Sequence, residues 1–186
     1  MKSRRPAQPS AQTSLIDSPI GPLWLETTSQ GIRRLEFMSD ALGRPKPRRE
    51  PSRGVNDETG LASEVERQIG EYFDGSRRVF ALPLDLQGSA FQLDVWQAIG
   101  KVPFAETLTY SQIAAAIGRP TSYRAVGNAC GANPVVIVLP CHRIVGTDRS
   151  LHGFGGGLDV KTWLLRHEGS LGGIRDKRAQ PQLAGV

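Results

Sequence analysis

Cys141, His142 and Arg143 stand in consecutive positions directly after Pro140. A thiol there has two basic neighbours, and cationic groups favour the thiolate, the nucleophilic form of cysteine. Val135-Val136-Ile137-Val138-Leu139, bounded by Pro134 and Pro140, reads as a short buried strand that delivers Cys141 on a rigid end. Neighbouring residues of an extended segment point to opposite faces, so His142 cannot simply lean onto Cys141. A proton path between them needs a turn, a water or a third group. The other thiol, Cys130, lies between Ala129 and Gly131 in a small-residue helix and reads as a core residue. Glu168 is placed oddly. It closes a helix predicted over 159–168, where a carboxylate faces the negative end of the dipole at a cost of about 0.3–1 kcal/mol. A role as hydrogen-bond acceptor would account for it there.

The elements that must position these groups divide at about residue 87. From Leu15 to Phe37 the pattern is a β-meander, with turns at Ser18-Pro19-Ile20-Gly21 and Ser29-Gln30-Gly31. Residues 39–60 are rich in Pro, Arg and Gly and read as a flexible loop. Leu61, Val65, Ile69 and Tyr72 mark an amphipathic helix closed by Gly75, and a further strand is expected over Val79–Leu84. This first part, 14–86 behind a disordered basic tail over 1–13, shows no chemistry of its own. Ser89 with Gln92 opens a helix whose stripe is Phe91, Val95, Trp96 and Ile99. Thr109 with Gln112 opens another, with Ile113, Ala116 and Ile117 inward. Gly118-Arg119-Pro120 ends it, and Thr121 or Ser122 caps the next, giving a helix-turn-helix pattern. The second domain is read over 87–170, with a disordered tail over 171–186.

Composition limits the function classes. With 186 residues, 39% hydrophobic, the chain can bury a core, and two cysteines argue against a disulfide framework. Four clustered Cys and His ligands are missing, so no structural zinc site is expected. No run approaches the ~18 apolar residues of a membrane span, and no secretory signal pattern opens the chain. A cytoplasmic location without membrane contact is expected. Lys and Arg number 23 against 18 acids, a net charge of +5, which suits a polyanionic partner.

Gly88-Ser89-Ala90-Phe91-Gln92 with Val95-Trp96, Thr109-Tyr110, Tyr123-Arg124-Ala125-Val126-Gly127, Ala132-Asn133-Pro134, Pro140-Cys141-His142-Arg143-Ile144-Val145, Gly155-Gly156-Gly157-Leu158 with Lys161, Trp163-Leu164-Leu165 and His167-Glu168-Gly169 occur in one order over residues 88–169. In that order they resemble the O6-alkylguanine–DNA alkyltransferases, single-use DNA repair proteins. The resemblance implies an α+β fold, an RNase H-like meander and helix followed by a mostly helical domain with a helix-turn-helix and the active-site loop. It implies that Cys141 takes the alkyl group from guanine O6, and from thymine O4, by in-line displacement, leaving a thioether that no water reverses. His142 would receive the thiol proton through a water, with Glu168 behind it. Tyr110 would protonate the purine, and Asn133 would tie the helix-turn-helix to the active-site segment. Arg124 would enter the base stack from the minor groove, with Thr121, Ser122, Tyr123, Ala125 and Gly127 at the DNA. Ile144, Val145, Phe154, Gly155, Gly156 and Cys130 would line the substrate pocket, with the main-chain carbonyls of Cys141 and Ile144 accepting from the guanine amino group.

Phe154 stands where many members of that family carry tyrosine, and Tyr123 where alanine is common. The partner implied is double-stranded DNA with alkylated guanine, bound by a monomer without cofactor or metal; cooperative assembly on DNA stays open. Other classes remain to be weighed. A lesion-binding relative without transfer would lack Cys141; a Cys-His-Glu hydrolase would need an oxyanion hole; a helix-turn-helix regulator would need a sensor domain.

Overall fold

The computed structural model describes residues 11–39 and 60–175. Strands β1 (Gln12–Ile16), β2 (Leu23–Thr28) and β3 (Gly31–Phe37) form an antiparallel meander in sequence order. The turns fall where Pro and Gly place them, and Leu23, Leu25, Leu35 and Phe37 all point into the core. β1 starts at Gln12, inside the expected N-terminal tail, because Gln12 and Thr13 pair with Thr27 and Glu26. Helix α1 (Leu61–Phe73) buries Val65, Ile69 and Tyr72, the expected stripe, and Gln68 with them.

Val79–Leu84 is not a strand. Among the described residues its one ladder contact is a parallel bridge from Leu84 to Ile32, because Pro83 has no N–H to continue pairing. The Pro83 backbone lies 2.6 Å from where a Cβ on Gly31 would stand, so glycine permits this crossing.

Helices α2 (Ala90–Gly100), α3 (Tyr110–Ala116) and α4 (Tyr123–Gly131) follow, α2 and α3 with both halves of their capping boxes formed. On α3 it is Ala114, not Ala116, that packs inward beside Ile113. Ser122 occupies the N-cap of α4, but its side chain caps nothing. Trp96 donates to the carbonyl of Ala129 at 2.9 Å and so pins α2 to α4. Two-residue strands β4 (Leu108–Thr109) and β5 (Ile144–Val145) pair in parallel, which sets Tyr110 beside the segment that follows Cys141. Helix α5 (Leu158–His167) ends at Glu168, with Gly169 left-handed beyond it.

The run Val135–Leu139 is buried or nearly so, but it is folded back rather than extended. Val135 bridges Leu35, Leu139 N–H donates to Val135 C=O at 3.0 Å, and Ile137 at the tip has φ 72°. A β-branched residue with positive φ is held only where its surroundings over-determine it, and Ile137 is 1% exposed. Cys141–Arg143 then forms one 3₁₀ turn. Cys141 therefore starts a turn and does not end a strand.

A single apolar core runs through both parts of the chain, from Leu23, Ile32 and Ile69 to Trp96, Ile113, Val135 and Leu164. A small second cluster holds Val145, Leu151 and Leu165, with Leu171 and Ile174 against it. Residues 171–175, expected as part of a disordered tail, are thus packed, and Arg175 exchanges backbone hydrogen bonds with Arg149 and Leu151. The remainder of both expected tails, and positions 40–59 of the expected loop, lie outside the described residues. Among the described residues, no helix is long and apolar enough to cross a membrane.

Candidate active site

Asn133, just past α4, is the first fixed point. Its amide nitrogen donates to Leu139 C=O at 2.7 Å and to Cys141 Sγ at 3.1 Å, and its oxygen accepts from Val135 N–H at 3.0 Å. One side chain thereby ties the end of the helix-turn-helix to the folded-back segment and aims at the thiol. Cys141 itself is 5% exposed. Burial pushes its thiol up, against the Asn133 amide, the Lys161 charge and the backbone N–H groups of Cys141 and His142, so it is protonated at rest. The expectation of a thiolate poised by its basic neighbours is corrected accordingly.

Arg143 turns away from the sulfur. Its guanidinium donates to both oxygens of Glu168, from Nε to Oε2 at 2.9 Å and from Nη2 to Oε1 at 3.0 Å, and to Val102 C=O at 2.6 Å. Glu168 Oε1 also receives His142 Nε2 at 2.8 Å and the Tyr72 hydroxyl at 2.7 Å. Burial alone would raise the Glu168 pKa, but the hydrogen bonds and charges of His142 and Arg143 outweigh it and hold the carboxyl at about 2. An ionised carboxylate only accepts, so His142 presents Nε2–H to it and carries its lone pair on Nδ1. That Nδ1 atom is buried and has no hydrogen-bond partner among the described residues. Burial lowers the basicity of His142, and the Glu168 carboxylate restores part of it. The misplaced helix-end acid is an acceptor for four donor atoms.

The cation nearest in effect to the thiol is Lys161 on α5, fully buried, its Nζ donating to Ile144 C=O at 2.6 Å and 5.9 Å from the Tyr110 ring centre. Burial brings its pKa down to about 8. Tyr110, mostly buried, has its hydroxyl pushed up by burial first and by the two thiols after that. Burial likewise raises Cys130 to about 12, so the second thiol stays protonated.

Two cavities flank this centre. One, about 120 Å³, is lined by Phe37, Cys130, Asn133, Cys141, Phe154 and Gly155 among others. The second, about 560 Å³, opens along Tyr110, Tyr123, Arg124, Gly127 and His152. Thr121, Tyr123, Arg124 and Ala125 are exposed at the start of α4, and the Arg124 guanidinium lies 5.5 Å from the Tyr123 ring centre. Val145 does not reach either cavity; it packs in the small second core because β4 pairing turns it there. Ile144 is buried in the main core and offers the site only its carbonyl, already shared with Lys161. Gly156 borders the first cavity indirectly, against the Phe37 ring.

Models of the 6-O-methylguanine DNA methyltransferase family match 12–86, as its ribonuclease-like domain, and 90–170, as its DNA binding domain. The chain belongs to that family. The methylated-DNA–protein-cysteine methyltransferase of Methanosarcina barkeri is 40% identical over 154 residues, 83% of this chain and 94% of that protein. The crystal structure of the Mycobacterium tuberculosis O6-methylguanine methyltransferase superposes with a TM-score of 0.72 at 36% identity, covering 87% of this chain and 94% of that one. The M. tuberculosis OGT in complex with DNA gives 0.72 at 38% identity, over 86% and 92%.

Within this member of the 6-O-methylguanine DNA methyltransferase family, three residues of the site have no role that the sequence reading assigns. Lys161 falls on the buried stripe of α5 with Leu164, Leu165 and Glu168, and a lysine on that stripe was the available clue. Tyr72 and Phe37 come from the first part of the chain and read only as core aromatics. Among the described residues no group of three His, Cys, Asp or Glu side chains could hold a metal ion.

Proposed function

We propose that this chain is a DNA repair protein that takes the alkyl group from O6 of guanine, or O4 of thymine, and keeps it on the sulfur of Cys141. One observation carries the reading: a buried thiol held by Asn133, next to a histidine whose Nε2 is bound to an ionised glutamate and whose Nδ1 is free to take a proton. The thiol proton passes through a water to Nδ1, and the imidazolium is stabilised by Glu168. The thiolate displaces the alkyl carbon from oxygen, Tyr110 protonates the departing purine, and the proton on His142 makes good that loss. The sum is a thioether and an unmodified base. A thioether has no hydrolysable bond, so one molecule performs one transfer.

The base has to leave the duplex to reach a buried sulfur, at a cost of about a few kcal/mol that is smaller for a damaged pair. Arg124, exposed at the start of α4, takes its place in the stack, while Ala125 and Gly127 allow close approach to the minor groove. The cavity along Tyr110, Tyr123, Arg124 and Gly127 faces the DNA, and the extruded base is taken up at the cavity that Cys141 lines, where Phe154 walls it without donating a hydrogen bond. The protein acts as a monomer and needs no cofactor.

Duplex DNA carrying O6-methylguanine should add one methyl group to the protein, seen by intact mass spectrometry. Trypsin leaves Cys130 and Cys141 on one peptide, Ala125–Arg143, so fragment ions must assign the sulfur. Methylation at Cys141, absent in Cys141→Ala, is the expected result. Repeated turnover, or a folded protein whose sulfurs stay unmodified, overturns the reading.

A further inference from the structure

We propose that Phe37, from the meander and not from the DNA-binding part, sets the size of alkyl group that Cys141 accepts. The inference rests on Cys141 as alkyl acceptor. β3 is fastened directly to the active-site segment: Leu35 N–H donates to Pro134 C=O at 2.8 Å, and Val136 N–H donates to Leu35 C=O at 2.8 Å. Those partners are the neighbours of Asn133 and Val135, so the bridge fixes the register of β3 against the residue that holds the sulfur. Side chains repeat every second residue along a strand, and Phe37 is therefore the next inward residue after Leu35. It arrives in the cavity of about 120 Å³ that Cys141 shares with Cys130, Asn133, Val136 and Phe154.

There the ring cannot yield. Phe37 is 3% exposed and meets the Phe154 ring edge-on, centres 5.5 Å apart and planes at 61°. Behind it the chain at Gly156 presses so close that a Cβ would stand 2.8 Å from the Phe37 ring. Two of the other walls are held by hydrogen bonds. Asn133 uses its amide on Leu139, Cys141 and Val135, and the Val136 backbone is bonded to Leu35. A phenyl ring neither donates nor accepts a proton, so the bulk of Phe37 bears on the shape of the cavity and takes no part in the proton path. A methyl group takes up little of the space beside Cys141 and can sit clear of the Phe37 ring. A benzyl group carries a ring as large as that of Phe37 and needs the same volume.

The experiment compares single-turnover rates for duplexes carrying O6-methylguanine and O6-benzylguanine in the unaltered protein, Phe37→Leu and Phe37→Ala. Phe37→Leu keeps most of the apolar volume and guards against loss of fold in Phe37→Ala. The benzyl-to-methyl ratio should rise by about tenfold or more in Phe37→Ala and less in Phe37→Leu, whatever change the two rates share, in keeping with what one or two carbons decide in an apolar pocket. A ratio that stays put in both folded variants overturns the proposal. Labelling of Cys141 by iodoacetamide against its N-benzyl derivative separates the two readings. If no lesion alkylates the unaltered protein, the acceptor reading fails, and the labelling pair still judges the wall: size discrimination lost in Phe37→Ala upholds it, discrimination retained defeats it.

Discussion

Glu168 concentrates the electrostatics of the site on two oxygen atoms. It accepts from His142, from Arg143 twice and from Tyr72, so its ionised form is tied to folding. Its folded pKa of about 2 lies below the ordinary 4.5, which means its contribution is complete above pH ~4.5 and is lost as pH falls toward 2. Thermal unfolding followed from pH 6 to pH 3 should show the melting temperature falling, and falling less in Glu168→Gln. That variant leaves Arg143 buried without its counter-charge, and we expect a loss of about 3–5 kcal/mol in urea unfolding at pH 7. Tyr72→Phe removes one donor and should cost about 1–2 kcal/mol. Identical pH slopes in Glu168→Gln and the parent would show that the carboxylate is not the titrating group. The Cys-His pair and its acid were legible in the sequence because each breaks a local rule: a thiol beside basic residues, and an acid at the wrong helix end. Arg143 was legible as a charge but not in its direction, since one turn of 3₁₀ helix decides whether it faces sulfur or carboxylate.

The same division holds for elements. Capping boxes were readable at Ser89 and Thr109 because the donor and acceptor that close them are four residues of sequence. Thr109→Ala should cost about 0.5–2 kcal/mol in urea unfolding, and it should also slow alkyl transfer, since Tyr110 is the first residue of the helix that Thr109 starts. Rescue of stability by Thr109→Ser with recovery of transfer would confirm the link; recovery of stability alone would break it. The run Val135–Leu139 was readable as buried but not as folded back, because β-branched composition reports burial and says nothing of which partner takes the hydrogen bonds. β3 takes some of them, from a hundred residues upstream in sequence. On α4, Arg124→Ala should depress transfer from duplex DNA far more than transfer from free O6-benzylguanine base, read as single-turnover rates on each. Equal losses on both would assign Arg124 to structure rather than to extrusion of the base.

At the scale of the molecule, the first part of the chain completes the site built by the second. β3 is hydrogen-bonded to residues 134–136, Tyr72 donates to Glu168, and the Tyr72 carbonyl accepts from His167 Nε2 at 2.7 Å. The stacked Trp163 and His167 rings and the Phe73 ring close the same seam. None of this was visible in the local sequence, where the meander and α1 hold no reactive residue; contacts between distant segments leave no spacing pattern. A chain cut to residues 87–186 should therefore lose more than stability. Without β3 the Pro134 C=O and the Val136 N–H lose their partners, and unpaired buried backbone groups reopen to water. Without Tyr72 the Glu168 carboxylate loses a donor, and without Phe37 the acceptor cavity loses a wall. Hydrogen exchange of the cut chain should show the 134–145 segment exchanging much faster than in the full chain, and Cys141 should become open to bulky haloacetamides while alkyl transfer from DNA slows. A cut chain that protects this segment as well as the full chain does, and transfers as fast, would mean that the DNA-binding part organises its own active site and that the meander only adds bulk.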